Sequence, residues 1–325
     1  MTLRQKSLLL LVVALPGMNV RMCAGDGTGA AGLTRTYLRV SASESVFATV
    51  NQADAIASMK VWSEQLGKLR GFQLDAKVAI ALSIPQMRQS LKDHMVDLLV
   101  LDTPDYLVLS ETNLLDAVFA GTERGQLAVY QYLLLTNDSS GAVTLPGLRQ
   151  KRVVISSRTK SNLGLMWLET LLGDSRLGRA GAFFSSVEIN YRSSQCVMPL
   201  FFRRIDACVV DSGNWEAMKE LNPQLGRLRV VARSEPYLEG VVAMPLQPHP
   251  HQDELVASLL NLHKTPAGEQ LGIVFRIGPL VRASKAQFES VRVLRNKYRH
   301  IVEASSSGLG PALVRLEDAA GKGHP

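Results

Sequence analysis

Two patterns in the sequence are of types that can carry chemistry. His249-Pro250-His251 places two imidazoles close enough to hold a metal ion, but this proline-rich segment lacks a neighbouring cysteine or carboxylate cluster. Cys208 has the chemistry of a nucleophile, but its apolar, strand-like surroundings and the lack of an identifiable activating histidine favour inert burial. The sequence contains no Gly-x-Ser-x-Gly elbow, P-loop or paired-cysteine metal spacing. We therefore expect no catalytic residue, no metal and no cofactor, and predict that the protein is not an enzyme.

The length, composition and net charge of the chain limit the functional classes to which the protein can belong. The chain has 325 residues, of which 46% are apolar and 20% charged, as in an ordinary globular protein of about two domains. Its net charge is +7, but the basic residues are scattered and are not interleaved with aromatic ones, so nucleic-acid binding is not expected. The longest apolar run, residues 8–15, is less than half of the ~20 residues that cross a bilayer.

Residues 1–30 have the pattern of a cleavable secretory signal. Arg4 and Lys6 form a charged start, residues 8–15 form the apolar segment, and Pro16-Gly17 interrupts it before a stretch of small residues. A buried first helix is the alternative, but this segment is apolar on every side and shows no amphipathic face. We predict export to the periplasm.

Export would place Cys196 and Cys208 in an oxidising compartment, where a disulfide is one possibility. Cys196 begins an apolar, helix-like run, and Cys208 lies in the strand-like run that follows. The two side chains therefore need not approach within the ~7 Å between Cα atoms that a disulfide requires. This pattern favours two buried free cysteines.

From Tyr37 onward, strand-like and helix-like segments alternate, which is typical of an α/β fold with a mostly parallel sheet. The predicted strands are 37–41, 72–80, 97–102, 127–136, 152–156, 183–191, 206–211, 229–232 and 240–244. The predicted helices are 53–69, 83–94, 161–172, 195–204, 253–262 and 283–302, with Gly173 expected to end the third of them.

Two similar series of elements predict two lobes, each a mostly parallel sheet flanked by helices. Residues 31–126 and 240–303 are assigned to lobe one, and residues 127–239 to lobe two. This order requires the chain to cross between the lobes twice, through two hinge segments, and leaves a cleft between them. Only helical material is expected after residue 244, and residues 304–325, rich in Gly and Ser near their start, are predicted to be a flexible tail.

Several motifs carry a resemblance to a known family. They are residues 60–67 (KVWSEQLG), 97–106 with Asp105-Tyr106, 148–153 (LRQKRV) leading to Thr159-Lys160-Ser161, 201–210, 220–225 (ELNPQL) and 262–268 (LHKTPAG). Over roughly residues 37–300, the chain resembles the periplasmic substrate-binding proteins of the phosphate/phosphite/phosphonate ABC transporter family. The resemblance implies a type II periplasmic binding protein fold, whose two lobes close over a small anion.

The resemblance also implies the partners. We expect a monomer that captures a phosphonate-, phosphite- or phosphate-like oxyanion and delivers it to a membrane ABC permease. A membrane sensor kinase or cyclase is the alternative partner, which would make the protein a signal receptor. An enzyme on the same scaffold is a third, less favoured possibility, because it would need a reactive residue exposed in the cleft.

In such a fold, ligands bind where strands end and helices begin, because free backbone N–H groups and the helix dipole attract anions. Family members place a Ser/Thr-rich turn at the position of residues 157–162, so Thr159, Ser161 and Asn162 are the foremost candidates. Ser161 serving only as a helix N-cap is the alternative. Lys160 replaces a small residue there and either adds a cation or points to solvent.

Other junctions supply further candidates. The Tyr106 hydroxyl is expected either to donate into the cleft or to belong to ordinary packing. Asp211 is expected to accept from the ligand, or to cap a helix or join an interlobe salt bridge. Residues 190–195 lack the histidine or acid that some relatives carry, which disfavours amine-bearing ligands. The predicted ligand-binding residues are Ser43, Asp102, Tyr106, Ser157, Thr159, Lys160, Ser161, Asn162, Ser194 and Asp211.

Overall fold

The computed structural model describes residues 35–48, 50–137 and 144–306. The predicted signal segment and residues 307–325 of the predicted tail lie outside these ranges. Within them, no helix has both the length and the apolar character that a membrane span needs.

Fourteen strands and ten helices make up the described chain. The strands are β1 (Arg35–Ser43), β2 (Gln73–Leu82), β3 (Leu98–Asp102), β4 (Leu115–Glu123), β5 (Gln126–Leu127), β6 (Val129–Tyr130), β7 (Tyr132–Asn137), β8 (Arg152–Ser156), β9 (Ser186–Asn190), β10 (Ala207–Asp211), β11 (Leu228–Arg233), β12 (Tyr237–Leu238), β13 (Gly240–Pro245) and β14 (Leu280–Arg282). The helices are α1 (Gln52–Arg70), α2 (Ile84–Lys92), α3 (Thr103–Ser110), α4 (Leu163–Asp174), α5 (Ala180–Phe183), α6 (Ser194–Phe201), α7 (Ser212–Leu221), α8 (Gln252–Leu260), α9 (Pro266–Phe275) and α10 (Glu289–Ser306).

The strands form two main sheets. The first has the order β14-β4-β13-β3-β1-β2, with β5 added beside β4. In it β1 is parallel to β2 and β3, whereas β13 is antiparallel to both β3 and β4. The second sheet has the order β11-β7-β10-β8-β9, in which β8, β9 and β10 are parallel and β7 runs against β10 and β11. The predicted α/β class is confirmed.

A short antiparallel ribbon marks the two places where the chain passes between the sheets. In it, Tyr237 is paired with Tyr130 and Leu238 with Val129. We call β6 and β12 the crossing pair. The predicted strand 127–136 is wrong as one element, because the chain changes direction at the crossing and is divided among β5, β6 and β7.

The central strands of the two sheets, β3 and β10, are buried. β10 is buried along its whole length and β3 along all but one residue, as expected of strands covered on both faces. Each strand ends in an aspartate that caps the next helix: Asp102 Oδ1 accepts from the backbone N–H of Asp105 at 3.0 Å, and Asp211 Oδ1 from that of Asn214 at 2.9 Å. The same strand–aspartate–helix junction therefore occurs in both sheets.

The end of α4 differs from the prediction. Gly173 lies within the helix, which continues to Asp174 and is followed by Ser175 as its C-cap. A Cβ added at Gly173 would lie 2.7 Å from the Cδ1 atom of Ile301. Gly173 therefore lies in close contact with α10 and does not terminate the helix.

The C-terminal part also differs. Residues 280–282 form β14 at the edge of the first sheet, where Val281 is paired with Ala120, so the expectation of only helices after residue 244 is wrong. α10 contacts both α3 and α4. Its Arg295 pairs with Glu111 beyond α3, and its Lys297 pairs with Asp174 at the end of α4, at 3.0 Å each. The assignment of residues to lobes stays a prediction, and α10 touches helices of both sheets.

Cys196 and Cys208 form a disulfide, so the preference for free cysteines is wrong. Their Cα atoms are 5.6 Å apart, and both residues are fully buried. The prediction did not account for how short α6 is: after its eight residues the chain turns back and enters β10 directly beneath the first turn of α6. Because α6 is short and β10 follows it closely, Cys196 and Cys208 come into contact although they are 12 positions apart.

We expect the double variant Cys196→Ala/Cys208→Ala to be less stable than the wild-type protein. Closing a loop with a sequence separation of 12 stabilises a protein by about 3 kcal/mol, mainly by restricting the unfolded chain. Thermal unfolding should therefore occur at a Tm lower by roughly 5–10 °C. Dithiothreitol should lower the Tm of the wild type and leave the double variant unchanged. Alkylation of both cysteines in unreduced, unfolded wild-type protein would contradict the bond.

Candidate functional site

The turn formed by residues 157–162 lies against the first sheet. The backbone N–H of Lys160 donates to the carbonyl oxygen of Ser45 at 2.9 Å, and the Lys160 ammonium pairs with the Glu44 carboxylate at 2.6 Å. Lys160 thus neither faces solvent alone nor stands free as a cation. These contacts join the start of α4, beside the second sheet, to the residues that follow β1 in the first.

Two side chains of the 157–162 turn form hydrogen bonds that stabilise it and the start of α4. The Ser157 hydroxyl donates to the carbonyl of Thr159 at 2.5 Å and is buried, so it supports the turn. Asn162 adopts a left-handed conformation (φ 51°), and its Oδ1 accepts from the Leu165 N–H at 2.9 Å. Asn162, and not Ser161, is therefore the N-cap of α4, and the N-cap alternative for Ser161 is wrong.

Asp102 is the group of the first sheet that faces this turn. It is fully buried, and its Oδ1 caps α3. Burial, followed by the charge of Asp105, raises the pKa of Asp102 from 3.8 to about 7, whereas the nearby hydroxyls of Ser161 and Ser45 lower it. Asp102 of the first sheet and Ser161 beside the second therefore lie next to each other. The pKa of the Asp102 carboxyl is about 7.

Two serine hydroxyls lie beside the carboxylate of Asp105, which neighbours Asp102. Ser43 Oγ and Ser45 Oγ lie 2.7 Å apart, and the Ser45 hydroxyl donates to Asp105 Oδ2. Burial raises the pKa of Asp105, although these two hydroxyls oppose the shift. Ser43 thus lies at the edge of the site and acts on it through Ser45.

Three polar atoms near this junction are buried without a hydrogen-bond partner among the described residues. They are Asp102 Oδ2, Thr103 Oγ1 and Asn162 Nδ2. Native proteins leave few buried polar atoms unsatisfied, because each costs free energy. An acceptor on the first sheet and an amide donor beside the second therefore mark a place where a polar ligand would complete the hydrogen bonding.

Arg158 is a half-buried cation at the site. Its Nε lies 3.0 Å from Glu239 Oε2 and its Nη1 3.7 Å from Asp211 Oδ1. Its guanidinium carbon lies 4.4 Å from the centre of the Tyr130 ring. Burial disfavours the charged guanidinium, but Glu239 and Asp211 outweigh it and hold the pKa of Arg158 above its ordinary value. The cation therefore persists at any physiological pH.

Glu239 joins the two sheets at the crossing pair. It is fully buried, and its Oε1 accepts from the Tyr132 hydroxyl at 2.6 Å. Burial raises the pKa of Glu239 from 4.5 to about 7, although the charge of Arg158 opposes that shift. The sequence analysis assigned a role to neither Arg158 nor Glu239. A lone acid in the otherwise apolar run YLEGVVAM, residues 237–244, is the signal that could have identified Glu239.

A cavity of about 360 Å³ opens at the edge of the first sheet and reaches Arg158 and Thr159. Most of its wall is apolar. Its charged and hydrogen-bonding wall residues include Asp102, Thr122, Glu123, Tyr130, Arg158, Thr159, Glu239 and Arg276.

The structure brings together part of the predicted set. Ser43, Asp102, Thr159, Lys160, Ser161 and Asn162 lie at or beside the junction, with Ser157 supporting the turn. Asp211 is a helix cap, one of its predicted alternatives, and also contacts Arg158.

Two predicted residues lie elsewhere. The Tyr106 ring packs on Phe288 at 4.6 Å between ring centres, which is the packing alternative. Ser194 is exposed at the start of α6, whereas its neighbour Ser193 meets Ser156 with 2.9 Å between the hydroxyls.

We expect Asp102→Asn to change the pH dependence of stability. Asparagine preserves the helix cap but cannot ionise. Because the folded pKa of Asp102 is about 7 and its ordinary value is 3.8, the folded state holds the extra proton, and this contribution to stability is lost as pH rises from about 4 to about 7. The variant should therefore gain stability relative to wild type across that window, by a few kcal/mol in total. Urea unfolding at pH 5, 6, 7 and 8 measures it.

Asp116→Asn, on an exposed aspartate of β4, is the matched control and should show no such trend. A constant difference between Asp102→Asn and wild type from pH 5 to 8 would contradict the proposed titration.

The chain was compared with protein families, curated proteins and solved structures. Residues 45–288 match the family described as ABC transporter, phosphonate, periplasmic substrate-binding protein. No curated protein matches the sequence.

Three solved structures share the fold at low sequence identity. XAC2383 from Xanthomonas citri bound to ATP is 15% identical, with 82% of this chain and 98% of that chain covered and a TM-score of 0.60. PhnD1 from Prochlorococcus marinus in complex with methylphosphonate is 15% identical, with 81% and 98% covered and a TM-score of 0.54. A binding protein component of an ABC phosphonate transporter from Pseudomonas aeruginosa is 12% identical, with 88% and 92% covered and a TM-score of 0.57.

These structures confirm the two-lobed type II periplasmic binding protein fold. The family match covers three quarters of the chain. The chain belongs to the phosphonate family of periplasmic substrate-binding proteins of ABC transporters.

Proposed function

We propose that this protein captures a small oxyanion of the phosphonate, phosphite or phosphate type between its two lobes and delivers it to an ABC permease. The observation that carries the proposal is a pair of buried atoms, Asp102 Oδ2 and Asn162 Nδ2, for which the described part of the chain supplies no hydrogen-bond partner. The amide is a donor for an anionic oxygen, and the carboxyl is a partner for an oxygen that shares a proton with it.

The 157–162 turn supplies further donors. Thr159 lines the cavity, and Ser161 has its hydroxyl near Asp102. Both precede α4, a helix of 12 residues whose N-terminal dipole favours a negative charge. Arg158 also lines the cavity, where its guanidinium is paired with Glu239 and Asp211. This set of donors suits an oxyanion with several oxygens.

The titration of Asp102 suits ligands that carry a proton. As a carboxylic acid, Asp102 donates to a ligand oxygen; as a carboxylate, it accepts from a ligand P–OH group. Hydrogen phosphate and the phosphonate monoanion offer such a group near neutral pH, when the pKa of Asp102 is about 7. A sulfonate has no proton to share, so it can hydrogen-bond to Asp102 only when Asp102 is protonated.

Capture would involve closure about the crossing pair. Away from the crossing pair, the contacts between the sheets at the site include the Lys160–Ser45 backbone hydrogen bond, the exposed Lys160–Glu44 pair and the approach of Ser161 to Asp102. Exposed ion pairs contribute about 0–1 kcal/mol. A ligand that hydrogen-bonds to both sides would therefore strongly favour the closed form.

The place of action follows from the family and the leader. Members of the family are periplasmic and serve ABC permeases, and residues 1–30 have the pattern of a cleavable signal. We infer that the protein is exported and that its leader is removed.

We expect the double variant Thr159→Ala/Ser161→Ala to lose ligand binding. In a thermal-shift assay, methylphosphonate at 100 times its Kd should stabilise wild type by about 2.7 kcal/mol, or roughly 5–10 °C in Tm. Removing two hydroxyl donors to an anion should weaken binding by roughly 100-fold or more. The ligand-induced shift, measured against the variant's own unliganded Tm, should then nearly disappear.

Ser90→Ala, on α2 and remote from the site, is the control and should keep the full shift. A double variant that retains the wild-type shift would remove the 157–162 turn from the binding site. No shift of the wild type with methylphosphonate, phosphite or phosphate would contradict the proposed function itself.

A further inference from the structure

Helix α10 lies across both halves of the molecule. The chain enters it from the first sheet, through β14 and residues 283–288. The helix then contacts α3, which follows β3 of the first sheet, and α4, which follows β8 of the second. Its 18 residues rise by about 1.5 Å each, so it is roughly 27 Å long. A helix of this length can connect one lobe to the other.

The first turn of α10 is attached beside the crossing pair. The Ser290 hydroxyl donates to the carbonyl oxygen of Pro236, the residue before β12, at 2.8 Å. Phe288, immediately before the helix, is buried, and its ring packs on Tyr106 of α3 at 4.6 Å between ring centres. A hinge rotation displaces atoms least near its axis. These contacts can therefore persist while the lobes rotate about the crossing pair.

The second half of α10 packs closely on α4. A Cβ added at Gly173 of α4 would lie 2.7 Å from the Cδ1 atom of Ile301, so these two residues are in close contact. The Lys297 ammonium pairs with the Asp174 carboxylate, at the end of α4, at 3.0 Å. Closely packed helices move as one unit, because a dense interior does not deform continuously. We therefore expect α10 to follow α4.

Beyond its first turn, α10 meets the end of α3 through an exposed ion pair. The Arg295 guanidinium lies 3.0 Å from the Glu111 carboxylate, and 62% of the Glu111 side chain is exposed. Exposed pairs of long side chains contribute little to stability, so this contact can break and form again at low cost. The boundary between α10 and α3 is therefore where relative motion is easiest.

We propose that α10 moves with lobe two, and that residues 283–288 are a third connection between the lobes, beside the crossing pair. Lobe one, predicted from sequence to include residues 240–303, would then end before α10. The inference rests on the lobe closure proposed above and adds a control point remote from the cleft. The contact between Arg295 and Glu111 changes whenever the cleft opens or closes, so fixing it would fix the state of the cleft.

Two cross-links, made with the same short bismaleimide, test the proposal. Arg295→Cys/Glu111→Cys joins α10 to α3, and Lys297→Cys/Asp174→Cys joins α10 to α4. Both pairs are made in a Cys23→Ser background, because the other two cysteines of the chain are bonded to each other and do not react.

A third cross-link is the matched control. Glu289→Cys/Arg292→Cys replaces an ion pair within α10 and joins the helix to no other element. Small-angle X-ray scattering gives the radius of gyration of each protein, before and after cross-linking, with and without saturating methylphosphonate. Wild type, the control and the α10–α4 cross-link should become more compact on binding, and the α10–α3 cross-link should lose this change. Each variant should behave as wild type before it is cross-linked.

Lys160→Glu tests the connection without a ligand. A glutamate at this position faces Glu44 and repels it, so the lobes should separate and the radius of gyration should increase. The α10–α3 cross-link should suppress this increase, and the α10–α4 cross-link should not.

The outcomes separate the two proposals. A size change that is lost in the α10–α4 cross-link, or kept in the α10–α3 cross-link, would overturn the movement of α10 with lobe two and leave oxyanion capture standing. If no oxyanion binds wild type, the proposed function fails, and Lys160→Glu still decides to which lobe α10 belongs. If neither methylphosphonate nor Lys160→Glu changes the radius of gyration, the lobes do not move and the third connection is overturned.

Discussion

The half-buried guanidinium of Arg158 is paired where the two sheets of this protein meet. Arg158 contacts Glu239 beside the crossing pair, Asp211 at the end of β10 and the ring of Tyr130. Removing such a charge from water costs several kcal/mol, and only good pairing offsets that cost. The turn that follows Arg158, with Thr159 and Ser161, is therefore held at the crossing with limited freedom. Its donors can be placed before any ligand arrives, which reduces the entropy that binding must overcome.

The second organising feature is the concentration of carboxyl groups at this edge. Asp102 and Asp211 end corresponding strands in the two sheets and cap the helices that follow. Asp211 also faces the Arg158 cation, whereas Asp102 lies near the Asp105 carboxylate and the hydroxyls of Ser161 and Ser45 and keeps an oxygen without a partner among the described residues. The same local motif therefore serves as a structural anchor in one sheet and as an open hydrogen-bonding group in the other. Their long-range surroundings explain the difference.

Local pattern predicted much of the fold. The strand at residues 152–156 was predicted exactly as observed, and the helix at 53–69 within one residue at each end, because their apolar periodicity and the Gly71 C-cap are encoded locally. The Cys196–Cys208 bond and the division of 127–136 were not predicted. Both depend on where the chain reverses direction in three dimensions.

The candidate site shows the same limit. A turn rich in hydroxyls at 157–162 can be found from sequence and family resemblance, but the pairing of Arg158 with Glu239, 81 positions later, cannot. Nor does sequence tell that Tyr106 packs on Phe288 while Asp102 faces the other sheet. Those facts follow from sheet order.

A double-mutant cycle on Arg158 and Glu239 tests the central claim most directly. The free energies of unfolding of wild type, Arg158→Met, Glu239→Gln and the double variant are measured by urea denaturation at pH 8, where both groups are mostly ionised. If the pair holds the sheets at the crossing, each single variant deprives the other charged group of this ion-pair partner, and the double variant should lose at least about 1 kcal/mol less than the sum of the two. Losses that add within about 0.5 kcal/mol would contradict the account.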